Sequence, residues 1–120
     1  MQDRISIDFS HAFPVFPLPS TVLLPHTVLG LHVFEPRYRR MVEDSLDSFG
    51  FIAMALFARE VGGEEYLEGK PPLRPYAGLG HIVQYEDVGE DRYLLLLQGL
   101  CRARITEEVP SEPYRMAYFR

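Results

Sequence analysis

The residues that most often carry chemistry are sparse and well separated in this chain. His11, His26, His32 and His81 are its only imidazoles, and none of their spacings matches the short-range pairs that build a tetrahedral zinc site. His26 and His32 stand six apart across apolar sequence, which reads as a turn or ladder hydrogen bond. Nucleophilic catalysis needs a serine, cysteine or lysine held against a base. Ser20, Ser45 and Ser48 fall in turn or helical settings and lack the Gly-x-Ser-x-Gly elbow. Cys101 could approach His81 across a sheet, but it alternates with Ala103 and Ile105 as core residues do. A Ser-Lys dyad could draw only on Lys70, which lies in a polar loop. Glu64-Glu65, Asp87 with Glu90-Asp91, and Glu107-Glu108 adjoin glycines or prolines and read as solvated turns. General acid–base work instead needs convergent carboxyls shifted by burial. Gly62-Gly63 lacks the Lys-Ser/Thr of a phosphate loop, and Gly78-x-Gly80 lacks its strand–helix setting. No residue qualifies as catalytic, cofactor-binding or metal-ligating. The expectation is a non-enzymatic module with no cofactor.

Arg37, Arg39 and Arg40 form the remaining cluster. On a helix they point in different directions. Glu43 and Asp44 stand at i+4 from Arg39 and Arg40, pairs worth a few tenths of a kcal/mol when exposed. Arg37, beside Glu35 and Tyr38, has two readings: a salt bridge tying the start of the helix to the sheet, or direct contact with a ligand.

The elements that position these groups follow from pattern. Residues 1–12 are a mixed, polar lead-in to a domain spanning 13–120. Pro14 and Pro17 in Phe13 to Leu18 suit an edge or entry strand and exclude an inner ladder strand. Pro19-Ser20 turns the chain, and Pro25-His26 breaks it again. Val28 to Phe34 reads as a second strand, with Gly30 at a bulge or close approach. Pro36 then opens a helix whose apolar stripe is Tyr38, Met41, Val42, Ser45, Leu46 and Phe49, ended by Gly50. Phe51 to Ala58 reads as a buried strand, favoured by Gly50 and its short length over the helical alternative that Ala53, Met54 and Ala55 leave. Arg59 to Ala77 reads as a long loop. Leu79 to Glu86 and Arg92 to Leu97 form a hairpin with a bulged turn at Gly89. Gly99 breaks its second strand, Cys101 to Ile105 continues it, and Tyr114 to Phe119 closes the set. Several short strands around one early helix predict a mainly β fold whose curved sheet closes toward a barrel.

Composition narrows the function. The 120 residues suffice for one domain, and 47% apolar residues can supply its core. Seventeen acidic against 12 basic residues give a net charge of -5, spread along the chain, which argues against a broad nucleic-acid surface. Only Lys70 among the basic residues is lysine; arginine suits fixed, planar contacts. Cys101 is the sole cysteine, so no internal disulfide forms. No signal peptide or membrane-length apolar run is visible, and a cytoplasmic protein is expected.

Phe16 to Leu46 is the most informative stretch, and it resembles the Lon protease N-terminal (substrate-binding) domain family, in a stand-alone bacterial form. Val15-Phe16-Pro17-Leu18 matches the family's opening strand, and Val22-Leu23-Leu24-Pro25 its apolar-Pro turn. Leu31, Val33, Phe34, Glu35, Arg37 and Tyr38 carry its P-L-x-V-F-E-x-R-Y stretch, with Gly30 in place of the usual proline. Gly99 and Arg102 to Ile105 resemble its G-x-x-R-x-x-I segment, whereas Gly78-Leu79-Gly80-His81 departs from it. The resemblance implies a PUA-like (pseudouridine-synthase-and-archaeosine-transglycosylase-like) pseudo-barrel of about six strands. It also implies a non-catalytic module that recognises unfolded or exposed peptide segments, or a protease or chaperone partner. Lon's ATPase and Ser-Lys peptidase parts have no counterpart in these residues. The contact surface is expected from apolar side chains spare to the core, in the Pro19 to Val33 turns or the Arg59 to Ala77 loop. The competing reading, RNA or small-ligand binding, is borrowed from the PUA-like architecture. Phe34 and Tyr38 are expected in the core, each costing roughly 3–5 kcal/mol on truncation to Ala.

Overall fold

Alternating apolar residues and glycine-marked turns make this chain mostly strand. The computed structural model describes residues 7–18 and 21–120. The expected turn at Pro19-Ser20 and the first half of the lead-in lie outside them. In chain order the elements are β1 (Phe13–Leu18), β2 (Val28–Val33), α1 (Pro36–Leu46), β3 (Phe51–Leu56), α2 (Gly63–Glu68), β4 (Tyr76–Gly89), β5 (Arg92–Val109) and β6 (Arg115–Phe119).

The six strands form one mixed sheet in the order β2-β5-β4-β3-β1-β6, with a further pairing of β5 to β6. Only β1 and β3 run parallel; the other pairings are antiparallel. This corrects the expected PUA-like pseudo-barrel of about six strands. The 18-residue β5 serves three neighbours, with β4 along most of its length, β2 at its start and β6 at its end. The strand β2 thus hangs outside the run of pairings that joins β5, β4, β3, β1 and β6. The apolar side chains accordingly sort into two cores rather than one interior. One holds Phe16, Leu23, Val33, Tyr38, Met41, Val42, Ile52, Met54, Ile82, Leu95 and Leu97, and α1 packs on it. The other holds Phe13, Val15, Phe51, Ala53, Ala55, Ala77, Leu79, Ala103, Ala117 and Phe119. Strands β1 and β3 feed both, one core from each face, so they read as continuous apolar runs.

Several local expectations change for traceable reasons. The strand β1 is internal, between β3 and β6, despite its prolines. Its pairing to β6 covers Phe13 to Val15, and its pairing to β3 covers Val15 to Leu18. Pro14 and Pro17 therefore each stand where the strand has one partner only, and the edge rule holds residue by residue. Gly30 sits in regular register opposite Leu96 and marks no bulge. Gly99 does not break β5; the register slips there, between Leu79↔Cys101 and Gly80↔Gly99, and the strand continues. The helix ends at Leu46, Phe49 is 63% exposed, and Gly50, at φ +75°, donates its N–H to the Ser45 carbonyl. The stretch read as one long loop contains α2. Phe34 is 62% exposed, so its place in the core is withdrawn, whereas Tyr38 is 3% exposed and stacks on Phe16 at 4.4 Å.

Candidate functional site

Two places gather the side chains singled out by sequence, and they differ in character. The first surrounds Arg37, at the start of α1. Its guanidinium bonds Glu35 at 3.3 Å, donates to the Tyr66 carbonyl of α2 at 3.0 Å, and lies over the rings of Tyr38 and Tyr66. Arg37 therefore ties α1 to α2 rather than to the sheet. Nearby, Arg115 pairs with Glu108 and donates to the Pro71 carbonyl, and Lys70 pairs with Glu112. Arg37, Tyr38, Tyr66, Lys70, Glu112 and Arg115 line a recess of about 140 Å³, and each of its three cations pairs with a carboxylate. Burial pushes the Tyr38 phenol well above its usual range, so it stays protonated. The recess is a bolted joint, and its contacts read as structural.

The second place arises from the segment after β1. Leu23 is 2% exposed and plugs into the first core. Its backbone lies so close to the sheet that a Cβ added at Gly78 would meet the Leu23 carbonyl oxygen at 2.3 Å. At Gly99 a Cβ would meet the Leu24 carbonyl oxygen at 2.0 Å. The His26 N–H donates to the Gly99 carbonyl, and the Gly99 N–H to the Thr27 carbonyl, which clips the segment down. With Leu23 driven inward, extended geometry turns its neighbours outward. Val22 and Leu24 are 56% and 54% exposed.

The opposite wall is the chain entering β4. The Arg74 N–H donates to the Leu56 carbonyl, and the Ile105 N–H to the Pro75 carbonyl, which fixes Tyr76 at half exposure beside the segment. The two walls enclose a groove of about 370 Å³ floored by Met54, Leu56, Ala77 and Gly78. Arg102 bounds it, its guanidinium 5.3 Å from the centre of the Tyr76 ring. Both stretches expected to supply contacts, Pro19 to Val33 and Arg59 to Ala77, thus meet across one groove.

The remaining candidates do not converge. Cys101 pairs with Leu79 while His81 pairs with Gln98, and burial raises the Cys101 thiol pKa, which favours the thiol over the nucleophilic thiolate. His26 and His32 are exposed, His26 in the turn and His32 on β2 against Phe34. Among the described residues no three His, Cys, Asp or Glu side chains gather as a metal site. Arg40 pairs with Asp44 as spacing predicts, but Arg39 reaches Asp91 while Glu43 accepts from the Tyr93 hydroxyl. Sequence reasoning missed Tyr76, Arg74 and Arg102 as site residues. The available signal was Val22-Leu23-Leu24, since three consecutive apolar residues in an extended segment cannot all face one core.

Residues 12–120 match the model of the ATP-dependent protease La (LON) substrate-binding domain family. Lon protease 2 of Myxococcus xanthus is 31% identical over 110 residues, and the Lon protease of Anaeromyxobacter dehalogenans is 29% identical over the same length. Each alignment takes in 92% of this chain and 13% of the relative, so the chain spans a small part of these proteases. A Lon N-terminal domain protein from Xanthomonas campestris superposes with a TM-score of 0.66 at 29% identity, covering 90% of this chain and 57% of that one. The N-terminal domain of a Mycobacterium avium complex Lon protease gives 0.68 over 92% and 54%, at 14% identity, a likeness of fold alone.

Proposed function

This chain belongs to the ATP-dependent protease La (LON) substrate-binding domain family, and on that premise we propose that it is a recognition module for exposed peptide segments. The matched stretch is the non-catalytic, substrate-binding part of those proteases. The observation that carries the reading is the groove between Val22-Leu24 and Tyr76, where apolar side chains stay exposed because their neighbour Leu23 is the one the core requires. Apolar walls give an extended segment area to bury, and backbone groups along the two irregular walls give it hydrogen bonds. Unfolded proteins expose such segments. In this reading residues 13–120 form the working domain after a lead-in at 1–12, and the module acts in the cytoplasm, handing segments to a protease or chaperone partner.

The test is fluorescence polarisation with short labelled peptides, one rich in Leu and Phe and one polar peptide of equal length. Wild-type protein is expected to bind the apolar peptide. The double variant Val22→Ser with Leu24→Ser should bind it at least ~10-fold more weakly while melting within about 0.5 kcal/mol of wild type, since both side chains face solvent. Equal binding by variant and wild type would remove the groove from the function.

A further inference from the structure

The arginines divide into two sets. Arg37, Arg39, Arg40, Arg59, Arg92 and Arg115 each pair with a carboxylate. Among the described residues, no ion pair joins Arg74, Arg102, Arg104 or Arg120, and these four are neighbours. Arg102 lies opposite Gly78 and Arg104 opposite Tyr76 on β5, Arg104 and Arg120 exchange both backbone hydrogen bonds, and Arg74 lines the groove beside Tyr76. All four are exposed. Among the described residues, the arginines without an ion pair thus lie together, in a chain that carries 17 acidic and 12 basic residues. An acidic protein repels acidic ligands in general, so a local cationic rim beside an apolar groove selects for charge there.

We propose that the groove takes extended segments in which acidic side chains flank an apolar residue. The apolar residue lies against Val22, Leu24 and Tyr76, and the carboxylates are received by Arg102 with Arg74 and Arg104. This rests on the groove being the peptide site. Arg102, whose guanidinium lies over the Tyr76 ring, sets a planar donor fork beside the groove.

The experiment uses three short, C-terminally amidated fluorescein peptides with one common Leu-Phe core, flanked by Glu, Gln or Lys. A labelled oligouridylate is the fourth probe. The Glu-flanked peptide is expected to bind about tenfold tighter than the Lys-flanked one, as two or three exposed charge pairs allow. Arg102→Glu should invert that order, and Arg102→Gln should abolish it, bringing the Glu- and Lys-flanked peptides to within about twofold of each other. Raising salt from about 0.1 to 1 M, which shortens the screening length from about 10 to 3 Å, should erase the preference and leave the apolar contribution. Equal binding of all three peptides would overturn charge selection and leave the peptide groove standing. Failure of every peptide would overturn both. Arginine-dependent binding of the oligouridylate in preference to the Glu-flanked peptide would assign the cationic rim to nucleic acid and overturn the proposal.

Discussion

Gly78 and Gly99 carry the site through what they lack. Each lets a backbone carbonyl of the Leu23-Leu24 pair rest where a Cβ would stand, and that contact holds Val22 and Leu24 at the groove. Gly78→Ala must lift the segment or distort β4, because the obstacle is backbone and cannot rotate away. The expected loss is about 1–3 kcal/mol in a urea melt, with weakened peptide binding in the material that remains folded. Gly63→Ala is the matching control. It begins α2 with nothing within 4 Å of the added carbon, so it should be neutral or stabilise by a few tenths of a kcal/mol. Equal losses at both positions would mean that close approach is not the cause. Tyr114 shows a different residue-scale effect. Burial, and then donation of its hydroxyl to Asp44 at 2.6 Å, push its pKa from 10.0 up to about 12. A raised folded value favours the protonated form, so its stabilisation is complete below pH 10 and disappears as pH rises toward 12. Urea midpoints measured at intervals from neutral pH to pH 12 should fall in the alkaline limb, and less steeply for Tyr114→Phe. Identical alkaline slopes would show that this phenol is not linked to folding.

At the level of elements, the legible features were those written in local pattern. The helix announced itself through Pro36 and the spacing of Tyr38, Met41, Val42 and Ser45, all buried. The hairpin showed through Gly89 and its acidic flank. The double role of β5 was not legible, because one strand serving three partners is a property of neighbours far away in sequence. Nor was the exposure of Phe34, which follows the last residue of β2 and escapes the core that Val33 enters. The groove was half legible: both contributing stretches stood out as surplus apolar sequence, but their meeting depends on glycines whose reason lies across the fold. The hairpin itself carries a correctable flaw. Gly89 pairs with Arg92, leaving Glu90 and Asp91 as the two turn residues, at φ +54° and +60°. That is the backbone of a type I′ turn, which prefers Asn-Gly. Glu90→Asn with Asp91→Gly should stabilise the protein by about 1 kcal/mol, even after loss of the exposed Arg39–Asp91 and Arg92–Glu90 contacts. A thermal melt with no gain would indicate that the flanking register, not the turn, sets the hairpin's stability.

Over the whole molecule the two cores share their walls. Phe16 and Met54 face one core from the strands whose Val15 and Ala53 face the other, and β4 and β5 contribute to both. Neither core can therefore dissolve without exposing the back of the other, and unfolding should be a single transition despite the division of the interior. Tyr38→Ala lies in the core under α1 and Phe119→Ala in the opposite one. Each is expected to lower stability by about 3–5 kcal/mol and to move one common midpoint, with far-ultraviolet and tyrosine near-ultraviolet dichroism tracing the same curve. Phe34→Ala, on an exposed side chain, should stay within about 0.5 kcal/mol of wild type. Were Phe119→Ala to split the curve, with the signal from α1 surviving at higher denaturant, the two cores would be separate cooperative units. The coupling also bears on recognition. Leu23 belongs to the first core, whereas Gly78, over which its carbonyl rests, lies between Ala77 and Leu79 of the second. The groove is thus built at the seam between the cores. Loss of either should release Val22 and Leu24 together, so peptide binding should vanish at the same denaturant concentration as the fold. Binding lost well before the common midpoint would show that the seam opens locally.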